Sequence, residues 1–230
     1  MLTVDLGAVA ANYRTVRAAA PGAEAAAVVK ADAYGLGMLP VARRLAAEGC
    51  GSFFVADARE GEALRAALPG ATIYVLNGLF PGTAGLYRAA GLVPCLAATA
   101  ELAEWRAEAA RAGQRLPAVL HFDTGMNRLG LGAAEAAALA ADDAAAEGLD
   151  VRLIISHLAC ADDAADPHNG QQLARFRALL GPLRARFPAA RVSLANSPGV
   201  FLGPDYHFNL VRPGIGLYGG NPLSGRASPF

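Results

Sequence analysis

Residues 52–76 read SFFVADAREGEALRAALPGATIYVL. An apolar run of strand length, Ser52–Val55, leads into an amphipathic stretch, Asp57–Ala67, and then into a second apolar run, Thr72–Leu76. Asp57 and Glu60 stand at capping-box spacing, which marks a helix start. Two strands joined through a helix lie parallel, because the helix carries the chain back to the end of the sheet from which it left. The alternation extends both ways. Further apolar runs occur at Ala25–Lys30, Leu92–Cys95, Pro117–Phe122, Asp150–Ser156, Val192–Leu194 and His207–Val211, making eight in all. Helical stretches rich in Ala, Leu, Arg and Glu separate them at Met38–Glu48, Thr99–Ala112, Ala133–Glu147 and Gly170–Arg186, with Thr99 placed to cap its helix. A short strand, Leu2–Leu6, and a helix from about Ala8 to Ala20 precede the repeat. Eight units in 230 residues predict an α/β fold, a closed parallel (β/α)8 TIM barrel over residues 1–230. A doubly wound open sheet is the alternative.

Barrels of this kind gather their reacting groups where strands end and loops begin. Lys30 ends the first run, Asp123 and Arg128 follow the fifth, His157 the sixth, Asn196 and Ser197 the seventh, and Arg212 the eighth. Of the 20 lysines and arginines, Lys30 is the one lysine. An arginine stays protonated at any physiological pH, whereas a lysine amine in an apolar setting, here after AAAVV, can lose its proton and act as a nucleophile or base. Its natural product is an imine with a carbonyl compound. The loops LANSPG and RPGIGLYGG offer an anion site: Ser197 supplies a hydroxyl before a helix-starting proline, and Gly214 and Ile215 supply amides that an anion can approach closely.

Composition narrows the partners. Net charge is zero and the basic residues form no stripe that would track a phosphate backbone, which argues against nucleic acid. No run reaches the length of a membrane span. The N-terminus lacks the basic and apolar regions of a secretory signal. Three widely spaced cysteines, Cys50, Cys95 and Cys160, imply reduced thiols and a cytoplasmic protein. His157 and Cys160 form an H-x-x-C pair without further ligands, so no metal is expected. His168, Cys50 and Trp105 receive no role.

The segments VVKADAYGLG (28–37), FDTGMNRLGL (122–131), SHLACAD (156–162), ANSPG (195–199) and FNLVRPGIGLYG (208–219) together closely resemble the pyridoxal-phosphate-dependent alanine racemases, in the family's order. The resemblance implies that Lys30 holds pyridoxal 5'-phosphate as an internal aldimine and serves as base on one face of the substrate carbon. Tyr34, Ser197 and the amides of Gly214 and Ile215 would bind the phosphate, with Asn196 beside them. Arg212 would donate to the pyridine nitrogen and, by keeping its proton, weaken the ring as an electron sink. His157 would hydrogen-bond Arg212. Arg128 would reach the cofactor's phenolic oxygen and the carboxylate of the substrate, alanine. The implied activity is interconversion of L- and D-alanine, supplying D-alanine for peptidoglycan.

Three departures accompany the likeness. Leu36 replaces a usual histidine. His121 stands where many members carry a carboxylated lysine that orients the arginine. It reads as a histidine satisfied within its strand, which leaves Arg128 to be placed by His121 itself, by an anion or by Asp123. The family's C-terminal β domain, which brings a second-base tyrosine from the partner subunit of a homodimer, has no counterpart before Phe230. The expectation is a chain that binds the cofactor and racemises poorly alone. The alternatives are a single-domain pyridoxal-phosphate homeostasis protein and a broad-specificity amino-acid racemase.

Overall fold

The computed structural model describes residues 3–230. Of the expected opening strand, Leu2 lies outside the described residues and 3–5 carry no strand. Asp5 instead caps a helix, accepting from the amides of Gly7 (2.7 Å) and Ala8 (3.1 Å), and α1 runs Leu6–Ala19. The repeat then begins. Strand β1 (Glu24–Ala25, continuing at Ala27–Val28) is followed by α2 (Met38–Ala47), β2 (Ser52–Val55), α3 (Ala58–Ala67), β3 (Thr72–Val75), α4 (Ala84–Ala89), β4 (Val93–Leu96), α5 (Thr99–Ala112) and β5 (Leu116–His121). Next come α6 (Ala133–Ala141), β6 (Leu149–Ile155), α7 (Pro167–Arg186), β7 (Arg191–Ser193) and β8 (Leu210–Val211).

Each strand from β1 to β6 pairs in parallel with the next. Closure is made by β8, which pairs in parallel with Glu24 and Ala25 and accepts the Ala26 amide at Val211 (2.9 Å). Its seam with β7 is looser. There Asn209 donates its amide to the Val192 carbonyl (3.0 Å) and accepts the Val192 amide on its side chain (2.9 Å). The eight-stranded parallel barrel is therefore the fold, and the open sheet is not.

Alternate residues of each strand serve two layers. Val28, Phe54, Tyr74, Val93, Cys95, Val119, Leu153, Ile155 and Leu210 fill the barrel, where Phe54 and Tyr74 stack at 4.6 Å. Their neighbours, such as Phe53, Ile73 and Ile154, face the helices. Covering both faces explains why the strands read as continuous apolar runs. Among the described residues the last strand leads into a 3-10 turn, Ile215–Tyr218, and α1 packs beside that turn and α2, in the place of an eighth helix. Asn12 donates to the Leu217 carbonyl (3.1 Å) and the Tyr13 hydroxyl to that of Ala25 (2.9 Å).

Several boundaries differ from the sequence reading. Helix α4 was not named by it. The stretch expected to be helical over Ala133–Glu147 stops at Ala141 and ends in a 3-10 turn. Thr99 is the first residue of α5 and caps nothing; Ala98 holds the cap position and Glu101 turns back to accept the Ala97 amide (2.7 Å). Lys30 lies beyond β1, whose ladder ends at Val28.

Candidate active site

Lys30 opens a short helical segment, Lys30–Gly35, that is left-handed: Ala31, Asp32, Ala33 and Tyr34 have φ of 52, 52, 55 and 57°. Four consecutive non-glycine residues in this region oppose the ordinary preference of L-residues, so neighbouring contacts must hold them. Ala33 donates to the Val29 carbonyl (2.9 Å), Gly37 to that of Asp32 (2.9 Å), and Met38 to the Asp32 carboxylate (2.7 Å). The reversed hand places Tyr34 against the far loop. Its ring lies 4.9 Å from that of Tyr218, whose hydroxyl donates to the Val28 carbonyl (2.8 Å). A Cβ on Gly214 would fall 2.3 Å from the Tyr34 hydroxyl oxygen, so only glycine lets that hydroxyl in.

Across the mouth, the Ser197 hydroxyl oxygen accepts the amides of Gly214 (2.8 Å) and Gly216 (3.2 Å). The Gly214 amide, expected to be bare, is thus bound within the protein. The Ser197 hydroxyl keeps its own hydrogen to donate, and the Ile215 amide, first in its 3-10 turn, has no acceptor within that turn. Asn196 braces the same loop, accepting the Gly199 amide (3.1 Å) and donating to the Leu158 carbonyl (3.3 Å).

Arg212 is buried at 4 % exposure. Its guanidinium donates to the Ser193 hydroxyl, to the Ser156 carbonyl (2.5 Å) and to the Leu194 carbonyl (3.4 Å). Among the described residues its partners do not include His157, which corrects the expected His157–Arg212 bond. Burial draws Arg212 down to about 10, still protonated at neutral pH. The same burial, with the charges of Arg212 and Arg128, pushes His157 down to about 3 and His121 down to about 4, so both imidazoles are neutral. His121 is not satisfied within its strand: its Nδ1 is buried without a partner. Burial also lowers the Lys30 amine, Arg128 adds to the effect, and Glu60 opposes it.

The loop after β5 is shaped by Asp123, whose carboxylate accepts the amides of Gly125 (2.8 Å), Met126 (2.9 Å) and Asn127 (3.1 Å). Asp123 therefore turns the loop, and its carboxylate does not pair with Arg128. Arg128 is exposed and among the described residues makes no ion pair.

Two adjoining hollows, of about 170 and 290 Å³, occupy the mouth. Lys30, Arg128, His157 and Arg212 border both. Tyr34, Asn196, Ser197, Gly214 and Ile215 border the first, and Asn77 and His121 the second. Lys30, Tyr34, Arg128, His157, Asn196, Ser197, Arg212, Gly214 and Ile215 thus meet at one place, whereas Asp123, also at a strand end, borders neither hollow. A larger hollow of about 600 Å³ lies against α5 and Gly148 and contains none of them.

The sequence reading missed the bracing residues. His168 on α7 bonds the Gly125 carbonyl (2.9 Å), Arg175 donates to that of Thr124 (3.2 Å), and the Thr124 and Ser156 hydroxyls bond each other (2.7 Å). These partners lie 32 to 51 residues apart, and no local pattern marks them. No cluster of three metal-ligating side chains occurs among the described residues, and no helix there is long and apolar enough to cross a membrane.

The family model described as "Alanine racemase, N-terminal domain" matches residues 4–222. A catabolic alanine racemase of Mesorhizobium japonicum is 50% identical over 231 residues, covering 100% of this chain and 60% of that protein. The alanine racemase of Methylobacterium nodulans is 51% identical over 229 residues, with the same coverage. Among solved structures, alanine racemase from Bartonella henselae with covalently bound pyridoxal phosphate superposes with a TM-score of 0.91 at 38% identity, over 98% of this chain and 65% of that one. The enzyme from Streptomyces coelicolor A3(2) gives 0.88 at 38%, over 98% and 61%. The chain spans about 60% of the length of these curated relatives.

Proposed function

The chain belongs to the alanine racemase family, as its N-terminal domain, and from that premise we propose that it holds pyridoxal 5'-phosphate at the barrel mouth and contributes the lysine side of L- and D-alanine interconversion. The observation that carries the reading is that the only lysine, lowered toward its free amine, borders one cavity with Ser197, Gly214, Ile215 and two arginines.

The residues fit the group. The Ser197 hydroxyl, the Ile215 amide and the Tyr34 hydroxyl converge on the glycine-bared side of the cavity, which suits an anionic tail. When bound, pyridoxal phosphate supplies an aldehyde for an amine to attack and an electron-withdrawing ring. Lys30 supplies that amine. Burial raises its unprotonated share at neutral pH, and the same nitrogen then takes or returns a proton at the substrate carbon. Arg212, protonated and held by three acceptors, presents a donor that does not surrender its proton. Arg128, without an ion pair among the described residues, suits a substrate carboxylate.

Borohydride reduction of the chain with pyridoxal phosphate, followed by peptide mapping, tests the assignment. Label at Lys30, absent in Lys30→Arg, is expected; label elsewhere overturns it. Exchange of the alanine α-hydrogen in D2O by the loaded chain reports proton transfer, and that exchange also disappears in Lys30→Arg.

A further inference from the structure

Glu60 is the third residue of α3, where a capping box would send its carboxylate to the amide of the cap residue, Asp57. It goes elsewhere. One carboxylate oxygen accepts the amide of Asp32 (2.9 Å), in the middle of the left-handed segment, and the other accepts the amide of Ala56 (2.7 Å), just past β2. Asp57 caps the helix alone, accepting from Arg59 (2.9 Å) and Glu60 (3.1 Å). A charged side chain of the second βα unit is thus spent on the backbone of the first. Asp32 lies two residues after Lys30 and two before Tyr34. The other bonds that hold the segment, from Ala33, Gly37 and Met38, come from its own chain neighbours.

We propose that Glu60 is a positioning residue of the active site: its carboxylate, shared between the Asp32 and Ala56 amides, fixes the left-handed segment so that Lys30 and Tyr34 face the same cavity. The inference rests on the reading of Lys30 as the reacting amine. An acceptor for a strained segment is best charged, because charge-assisted bonds from backbone amides are stronger than neutral ones. The carboxylate also sits in the electrostatic surroundings of the amine. Of the charged groups around Lys30, Arg128 favours deprotonation and Glu60 opposes it, while Arg212 borders the same hollows and His157 there is neutral.

Because the chain has one lysine, its amine can be followed without any cofactor. Reductive dimethylation with 13C-formaldehyde gives Lys30 a single resonance, distinct from that of the N-terminus, whose shift titrates the amine. In the full 230-residue chain, Glu60→Gln is expected to move that titration to lower pH and to weaken capture of pyridoxal phosphate several-fold. Glu60→Ala should weaken capture tenfold or more. Glu108→Gln is the control for stability alone: Glu108 is buried between Arg88 (2.6 Å) and Arg111 (2.8 Å), remote from the mouth, and its loss should lower the urea midpoint with capture and titration unchanged. If Glu60→Ala does not fold, Glu60→Gln decides. Wild-type titration and capture in Glu60→Gln overturn the inference while leaving Lys30 labelling, and so the cofactor reading, intact. Absence of label at Lys30 in the wild type overturns the cofactor reading instead, and the titration shift still reports whether Glu60 faces the amine.

Discussion

Two histidines border the buried arginine, and neither holds a proton at neutral pH. His121 folds with a value near 4 and His157 near 3, against about 6.5 for the unfolded chain. Between those limits the unfolded state binds more protons, so stability is complete above about pH 6.5 and is lost as the pH falls toward 4. Each histidine contributes a slope of at most about 1.4 kcal/mol per pH unit. Urea unfolding of the chain at pH 7 to 4.5 should show this decline, and His121→Asn and His157→Asn should each flatten it. Slopes unchanged in both variants would show that neither imidazole is forced neutral. Residue identity alone carried Lys30, because a single lysine among arginines is conspicuous. It misled on His121, since the lack of a partner for Nδ1 depends on what the barrel packs around it.

The left-handed segment is the element with most at stake, as each non-glycine residue in that conformation costs about 1–2 kcal/mol. Nothing in the letters ADAY announces it. The β5 loop shows the opposite case. Gly130 has φ of +130° and a Cβ there would lie 2.4 Å from the Asp123 amide nitrogen, against backbone that cannot yield. The close approach lets Leu131 bond back, with Asp123 donating to its carbonyl (3.0 Å) and its amide reaching that of His121 (2.8 Å). Gly130→Ala is expected to cost more than about 2 kcal/mol in urea unfolding and to displace the loop that carries Arg128. Gly51→Ala, which meets nothing within 4 Å, should stay within about 0.5 kcal/mol. Equal effects of the two substitutions would remove the steric argument.

At the scale of the whole molecule, the barrel closes by joining its ends. Helix α1 occupies the eighth helical place, and the buried Tyr13 hydroxyl anchors it to the Ala25 carbonyl beside the closing strand. Tyr13→Phe leaves that bond unmade in an apolar setting and is expected to cost about 1 kcal/mol, read as a lower urea midpoint. An unchanged midpoint would mean that α1 is seated by apolar packing alone. What the chain's letters determined by themselves is the order of eight strands, most of the helices between them, the parallel sense of the sheet and the polar residues at the strand ends. Those follow from hydrophobic periodicity and from turn and cap chemistry, which act over a few residues. Only the tertiary structure decided the hand of the lysine segment, the reach of Glu60 to it, the acceptors around Arg212 and the bracing of the β5 loop by His168 and Arg175. The reason is range: each depends on groups far apart in sequence meeting across the barrel mouth, and a backbone's sign of φ at a non-glycine residue is set by those contacts more than by the residue itself.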